Sequence, residues 1–259
     1  MGKLLFSVQA FLNYWLNKED RHSQQSPFVF KIYSELLRFL KKNEKGDPEI
    51  EKFRKSLLAN QNQIDVLDLG AGSKKVPLPK RRIGDITRYS TSGIKFSQLY
   101  QFLCSTTPSE YVIELGTCVG ISTRYLSKST RGKLFSFEGS EEIQKIACQN
   151  PKPENIEFIL GSIDQTLPKV LKDIPKIDFA LIDANHTYKG TMHSFYTLLP
   201  KAQRLSIFAI GDIHWTTEME KAWEEIKTSP QVKLTMDFFE CGIVFFDYPG
   251  EKTHLILDI

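Results

Sequence analysis

The sequence has few cysteines, no strong excess of charge and no long apolar run. Its four cysteines form no Cys-x-x-Cys pair and no regular spacing, which argues against a zinc site and favours a reduced, cytoplasmic protein. The net charge of +3 is smaller than nucleic-acid-binding proteins usually carry, so no nucleic-acid partner is expected. The apolar stretch near the N-terminus is too short and interrupted to cross a bilayer, and no small-residue cleavage site follows it. Neither a membrane span nor a signal peptide is therefore predicted.

The first part of the chain, residues 1–105, has a mainly helical pattern. Apolar residues from Leu4 to Leu16 recur at helical spacing, and Ser26-Pro27 has the features of a second helix start. A charged segment at 41–55, a short apolar run and a loop rich in Gly, Pro and Lys follow. We interpret this part as an N-terminal extension that covers the substrate or contacts a second subunit of a homodimer.

From Tyr111 onward, strand and helix patterns alternate. Five apolar runs have strand length and are separated by segments with helical spacing: YVIEL, KLFSFE, IEFIL, IDFALID and LSIFAI. Such βα units form a parallel sheet that is covered on both faces. Two further runs, VKLTMDFF and GIVFFDY, are joined by only a short turn and must therefore pair antiparallel. The pattern predicts an α/β domain over residues 106–259.

A turn with two glycines joins the first of these strands to its helix, between Glu114 and Ser122. Gly116 and Gly120 permit positive φ and a close approach of the backbone to a ligand. The free N–H groups at the start of the following helix favour a carboxylate, and Ser122 adds a hydroxyl group. The turn therefore predicts a binding site for a ligand that carries a carboxylate.

The next strand ends in an acid, Glu138, which lies 24 residues after Glu114. An acid at this point of an α/β fold can accept hydrogen bonds from both hydroxyls of a ribose. The strand, the turn and the second acid together predict a nucleoside-containing ligand. The alternative is a tight βα turn followed by a surface glutamate.

A second glycine motif, VLDLGAGS at residues 66–73, resembles a nucleotide-binding turn but lacks its context. The position 24 residues beyond Asp68 is Ser92, which lies in a polar stretch without a strand pattern. We interpret Asp68–Gly72 as a loop of the N-terminal part that acts as a lid or a substrate wall. A rearranged second nucleotide site is the alternative.

Several motifs in the second half resemble, in the same order, those of small-molecule O-methyltransferases that use S-adenosylmethionine. The motifs are IELGTCVGIST, FSFEGS, GSIDQTLP, FALIDANHTY and GDIHW. The relatives are the catechol and caffeoyl-coenzyme A type and the broader methyltransferase 24 type, and the resemblance covers about residues 110–250. The N-terminal DRHSQQSPFVF resembles a bacterial subgroup of unknown substrate. The resemblance implies a Rossmann-like, seven-stranded sheet of order 3-2-1-4-5-7-6 with strand 7 antiparallel.

The resemblance also implies where the donor would lie. Glu138 would hold the ribose, Gly161 and Ser162 would lie beside the adenine, and Asp183 would face the methyl group. The methionine part would contact the first turn at the residues Glu114, Gly116, Thr117, Gly120 and Ser122.

The candidates for the reaction chemistry follow the fourth and fifth strands. They are the residues Asp183, Asn185, His186, Tyr188, Asp212, His214 and Trp215. Methyl transfer is an in-line displacement, for which the protein supplies alignment and a base. His186 falls where catechol-type relatives have a catalytic lysine, and a neutral imidazole can take a proton near pH 7. We expect His186 to be the base, with His214 as the second candidate.

Catechol-type relatives bind Mg²⁺ through an Asp after the fourth strand and an Asp-Asn pair after the fifth. This chain keeps Asp183 and Asp212, but Ile213 follows Asp212, so a third protein ligand is missing. Because Mg²⁺ prefers near-octahedral oxygen coordination, we expect no tight metal in the free enzyme. Asp183 and Asp212 are the candidate ligands if Mg²⁺ does bind.

The expected acceptor is an oxygen atom of a small molecule. The Asn/Asp-Pro-Pro-Tyr run of adenine methylation is absent from the sequence, as is a Pro-Cys pair after the fourth strand for cytosine methylation. Two alternatives stay open. One is an RNA or protein methyltransferase that docks through the N-terminal helices and a basic cluster, and the other is a donor-binding module without catalysis. The basic cluster comprises Lys74, Lys75, Lys80, Arg81 and Arg82.

Overall fold

A computed structural model describes residues 2–67, 79–149 and 153–259. Its N-terminal part contains five helices and a small hairpin: α1 (Gly2–Asn17), α2 (Pro27–Lys42), α3 (Pro48–Leu58), β1 (Gln63–Asp65), β2 (Lys80–Arg82), α4 (Ile83–Tyr89) and α5 (Ile94–Ser105). The expected helix start is confirmed, because the Ser26 hydroxyl accepts a hydrogen bond from the Val29 N–H and Pro27 occupies the first turn. None of the helices in the described residues is long and apolar enough to span a membrane.

The remaining chain alternates strands and helices, as the apolar runs predict. The elements are β3 (Tyr111–Leu115), α6 (Ile121–Ser127), β4 (Lys133–Glu138), α7 (Glu141–Ala147), β5 (Ile156–Leu160), α8 (Ile163–Asp173), β6 (Ile177–Ile182), α9 (Tyr188–Leu198), β7 (Ala202–Gly211), α10 (Thr217–Thr228), β8 (Leu234–Asp237), β9 (Cys241–Phe245) and β10 (Thr253–Ile256). A short 3-10 helix joins α9 to β7.

The main sheet has eight strands in the order β5-β4-β3-β6-β7-β9-β8-β10. The first seven have the predicted order 3-2-1-4-5-7-6, and β9 runs antiparallel to both of its neighbours. The prediction of seven strands is corrected by β10, which pairs parallel with β8 at the edge. This strand has only four residues and no fully buried side chain, so its apolar pattern is weak.

The structure adds a helix to the N-terminal part and corrects the extent of its expected loop. The charged segment at 41–55 contains most of α3, which begins after the cap Asp47 and buries Ile50 and Leu57. The end of the expected loop forms β2, which pairs antiparallel with β1. The glycine motif at Asp68–Gly72, together with Lys74 and Lys75, lies outside the described residues.

Helices cover both faces of the sheet. On one face, α2 and α5 share a hydrophobic core with the strands, in which Leu36 and Leu99 pack with Phe179 and Ile243. On the other face, α8, α9 and α10 bury Leu167, Phe195 and Trp223 against the same strands. The two α-helical layers thus leave the carboxyl ends of the parallel strands as the place where loops can form a site.

Candidate active site

A cavity of about 700 Å³ lies at the carboxyl ends of β3, β4, β6 and β7. Its floor is made by the loops that follow these strands, and its opposite wall comes from the N-terminal part. The candidate residues on its lining are Gly116, Thr117, Ser122, Glu138, Gly161, Ser162, Asp183, His186 and Asp212. The structure therefore brings most of the predicted site residues into one cavity.

The first turn requires glycine at both predicted positions. Gly116 has a φ of 104°, and a Cβ there would lie 2.3 Å from the Asp183 carbonyl oxygen. Gly120 has a φ of 80°, and a Cβ there would meet Ala147 at 3.0 Å. Gly116 and Thr117 donate backbone hydrogen bonds to the Phe137 carbonyl, each at 3.0 Å. Gly116 thus lines the cavity, whereas Gly120 lets α6 approach α7.

Glu114 does not line the cavity, although a contact with the donor was expected. Its fully buried carboxyl group accepts hydrogen bonds from Ser122 at 2.6 Å, Thr123 at 2.5 Å and Ser136 at 2.6 Å. Burial raises the pKa of Glu114 to about 7, while these hydroxyl donors oppose the rise. The side chain joins the start of α6 to β3 and β4, and it binds the hydroxyl group of Ser122, which lines the cavity.

Glu138 ends β4 and faces the cavity. One carboxylate oxygen accepts the Cys118 N–H and the other accepts the Ser140 N–H, both at 2.9 Å. These two bonds fix the carboxylate beside the glycine turn. Because each carboxylate oxygen has two lone pairs, one backbone N–H on each does not by itself exclude a hydroxyl group of a ligand.

The loop after β5 extends the same side of the cavity. Gly161 has a φ of 128° and donates its N–H to the Glu138 carbonyl at 2.9 Å. Ser162 occupies the N-cap position of α8 without a side-chain capping bond, and Asp164 also lines the cavity. Asp164 was not singled out from the sequence, because an acid in the first turn of a helix is common there for the helix dipole alone.

Asp183, His186 and Asp212 form a compact cluster on the lining of the cavity. One possible ligand atom from each lies within 4.8 Å of those of the other two, and the distance from His186 Nδ1 to Asp212 Oδ2 is 3.6 Å. Both His186, at 43°, and Asp212, at 56°, have positive φ. Non-glycine residues rarely adopt this conformation, and it is common at functional sites.

The surroundings of this cluster hold its members in place. A Cβ at Gly211 would lie 2.0 Å from Asp183 Oδ1, so the missing side chain makes room for the carboxylate. Trp215 contacts the His186 ring edge-to-face with the ring centres 5.5 Å apart. Burial raises the pKa of Asp183 to about 6, with the charge of Asp212 adding to the rise and His186 opposing it.

The cluster supplies the third metal-ligand candidate that sequence spacing did not reveal. Two carboxylates and one imidazole suit a softer ion such as Zn²⁺ better than Mg²⁺, which prefers oxygen ligands alone. The sequence could not show this, because His186 comes from the loop after β6 and Asp212 from the loop after β7.

His214, the second candidate base, lies elsewhere. It lines a separate cavity of about 260 Å³ between α1 and α10. Its Nε2 is 2.8 Å from Asp237, which also accepts the Trp223 indole N–H at 3.2 Å, and its ring stacks on Phe239. Burial opposes protonation, but the hydrogen bond to Asp237 raises the pKa of His214 above its usual value. The structure thus separates His214 from Asp183 and His186.

The remaining candidates divide between the cavity and the helices. Trp215 lines the cavity. Tyr188 instead bonds to Glu225 through its hydroxyl group, and Lys221 lies 4.4 Å above its ring. Of the basic cluster, Arg81 is mostly buried and lines the cavity.

The N-terminal part contributes wall residues that the sequence did not indicate. Phe96 and Tyr100 of α5 line the cavity, together with the segment 89–93 and Glu240 from the β8–β9 turn. The helical periodicity of α5 could have identified its apolar face, but not the side of the sheet on which that face lies.

Residues 113–213 match a family model described as a methyltransferase domain. The match spans the glycine turn, Glu138 and the cluster, and it confirms the methyltransferase resemblance of the sequence motifs. A search of curated proteins finds no match to the chain.

Solved structures share the fold at low sequence identity. The SAH-bound methyltransferase PaMTH1 of Podospora anserina superposes with a TM-score of 0.59 at 13% identity, over 87% of this chain and 100% of that chain. An O-methyltransferase from Bacillus cereus in complex with SAH gives a TM-score of 0.57 at 14% identity, over 81% and 99%. The O-methyltransferase TomG from Streptomyces achromogenes, in complex with SAM, gives 0.52 at 13% identity, over 62% and 83%. The protein therefore has the Rossmann-like methyltransferase fold.

Proposed function

We propose that this protein transfers the methyl group of S-adenosylmethionine to an oxygen atom of a small molecule. The observation that carries the proposal is a single cavity that is lined by both Glu138 and the Asp183–His186–Asp212 cluster. A ribose-binding acid and a candidate base that share one cavity fit a nucleoside-linked methyl donor. The SAM and SAH complexes of structures with the same fold support this donor.

The donor is placed by the loops in order along the sheet. Its ribose hydroxyls donate to Glu138, and its adenine lies near Gly161 and Ser162. Its methionine part contacts the turn at Gly116 and Thr117, where Gly116 has no side chain. In this proposal the positively charged sulfonium lies near Asp183, whose carboxylate stabilises a cation in a buried site.

In the proposed reaction, His186 accepts the proton of the acceptor hydroxyl group. The oxygen lone pair forms a bond to the methyl carbon while the carbon–sulfur bond breaks and its electron pair remains on sulfur. The donor becomes a neutral thioether, and the positive charge passes to the proton on His186. Asp212, 3.6 Å from His186 Nδ1, stabilises the imidazolium that results.

We propose that His186 acts without a tightly bound Mg²⁺. The donor set around Asp183 and Asp212 is completed by an imidazole nitrogen, which Mg²⁺ does not favour. An ion bound there would polarise the acceptor oxygen, and the three ligand side chains would come from this cluster.

The experiment combines binding and turnover. Calorimetry should show binding of S-adenosylmethionine and of its demethylated product with micromolar affinity, about −8 kcal/mol. Donor with a labelled methyl group, incubated with fractions of a metabolite extract, should then label a small molecule at oxygen. Absence of binding to both compounds would refute the proposed donor. Binding without turnover on any fraction would favour a non-catalytic module, and label in RNA or protein would favour the macromolecular alternative.

A further inference from the structure

Helix α1 has a continuous apolar face that the described residues leave largely exposed, with only Phe11 at its edge touching a ring outside the helix, that of Phe239 at 5.3 Å between centres. Its members are between 48% and 69% exposed and comprise Leu5, Val8, Phe11, Leu12, Trp15 and Leu16. For residues with a full surface of about 200 Å² each, these fractions correspond to on the order of 700 Å². Monomeric proteins rarely expose an apolar patch larger than about 300–600 Å².

The helix is anchored through its opposite side, so the apolar face points outward. Tyr14 donates its hydroxyl to the Leu257 carbonyl at 2.8 Å, and its ring contacts Phe239 with the centres 5.2 Å apart. Just after the helix, Lys18 forms an ion pair with Asp258 at 2.6 Å, and the Glu19 N–H donates to the Ile256 carbonyl at 2.7 Å. The side of α1 that faces the protein is therefore already occupied.

We infer that this face binds the same face of a second copy of the chain and forms a symmetric dimer. Leu5, Val8, Leu12 and Trp15 follow one another at spacings of three, four and three residues, which is the seam of a two-helix packing. The exposed area of each copy is close to the roughly 800 Å² per partner of a standard interface. The sixteen residues of α1 form a helix about 24 Å long, which is enough for two such seams to cross.

The charge of α1 favours a second copy over a lipid surface. The sequence of α1 has one charged residue, Lys3 in its first turn, and its other polar positions are Ser, Gln, Asn and Tyr. Helices that lie on membranes usually carry Lys and Arg on their polar face. Two uncharged faces can instead pack together without like-charge repulsion.

The test is the mass of the full chain in solution by analytical ultracentrifugation. The wild type should sediment with twice the monomer mass of 29.8 kDa at micromolar concentration. Leu12→Glu and Trp15→Glu, tested separately, should each weaken the dimer about 100-fold or more, because they place charge at the centre of the seam. Leu205→Glu is the matched control, since Leu205 is an exposed leucine on β7, 62% exposed, and the dimer should persist.

Circular dichroism shows whether each variant is folded. If one α1 variant fails to fold, the other still tests the dimer. A monomeric wild type, or a dimer that survives both α1 substitutions, would overturn the inference. A monomer that instead binds vesicles of phosphatidylcholine and phosphatidylglycerol through α1 would also overturn it and would assign the face to a membrane.

Discussion

The protonation of Glu114 should make the stability of this protein unusually dependent on pH. Its carboxyl group is fully buried, and its pKa rises from the usual 4.5 to about 7 in the folded chain. The folded state therefore binds this proton more tightly than the unfolded state does. The stability gained from that proton is present below pH 4.5 and is lost as the pH rises through 7. The gap between the two pKa values corresponds to about 3 kcal/mol.

Glu114→Gln removes this titration while keeping a side chain of the same shape. The glutamine stays neutral at every pH, and its carbonyl oxygen can still accept hydrogen bonds from Thr123 and Ser136, which donate to the same oxygen of Glu114. Between pH 5 and 8 the free energy of unfolding should therefore shift in favour of the variant by about 2–3 kcal/mol relative to the wild type. Replacing the carboxyl group by an amide also changes the free energy of unfolding by an amount that does not depend on pH. The comparison between two pH values removes this constant amount.

The assay is urea unfolding of both proteins across this pH range, followed by circular dichroism. Glu157→Gln is the matched control, because Glu157 is half-exposed and lies 3.7 Å from Lys133 on the surface. The free energy of unfolding of Glu157→Gln, relative to the wild type, should change by less than 1 kcal/mol across the range, as expected for an exposed ion pair. This prediction would be refuted if the free energy of unfolding of Glu114→Gln, relative to the wild type, does not depend on pH. It would also be refuted if the variant becomes relatively less stable as the pH rises.

Three further outcomes test the site. Glu138→Ala should weaken donor binding by about 1.5–3 kcal/mol in calorimetry, the usual effect of losing hydrogen bonds to a charged group, and Asp68→Ala should not; the opposite result would assign the donor to the other glycine motif. His186→Ala should lower turnover by about 10²–10⁴-fold with donor affinity little changed, whereas His214→Ala should retain activity. Full activity of His186→Ala would remove His186 from the mechanism. Activity should survive treatment with a chelator, and complete loss that magnesium restores would make Asp183 and Asp212 metal ligands.

The parts of the fold that follow from sequence are those that local patterns determine. Runs such as YVIEL and KLFSFE are buried on both faces, so their apolar residues are continuous and their ends are clear. The short turn between β8 and β9 allowed only antiparallel pairing. β10 was missed because its polar and apolar residues give no distinct alternation. Helix α3 was missed because charged residues dominate the segment in which it begins.

The parts of the site that could not be predicted depend on contacts between distant loops. His186 lies close to Asp212 only because two neighbouring parallel strands bring their loops together. Both residues have positive φ, which no local sequence pattern predicts. The burial of the Glu114 carboxyl group among hydroxyl donors could have been predicted. An acid inside a buried strand needs hydrogen-bond donors, and Ser122 and Thr123 in the next helix turn provide them.

The charge of the cavity lining favours the proposed donor over its product. Acids outnumber basic side chains among its described lining residues, which include Glu138, Asp164, Asp183, Asp212 and Glu240 against Arg81. Such a lining attracts a cationic donor and has less attraction for its neutral product. Because the proton on His186 replaces the sulfonium charge near Asp212, the acids keep a positive partner throughout the proposed transfer.

This reasoning predicts that the preference for donor over product depends on pH. Asp183, whose pKa burial raises to about 6, is ionised above that value and then attracts the sulfonium. Charges a few ångströms apart interact by several kcal/mol at the effective dielectric of a protein, so the affinity ratio of S-adenosylmethionine to S-adenosylhomocysteine should rise about tenfold or more from pH 5 to 7. Asp183→Asn should remove this rise, whereas Asp164→Asn, at a side chain that is 75% exposed, should preserve it. Calorimetry with both ligands measures the ratio, and a ratio that stays constant or falls with pH would place the sulfonium away from Asp183.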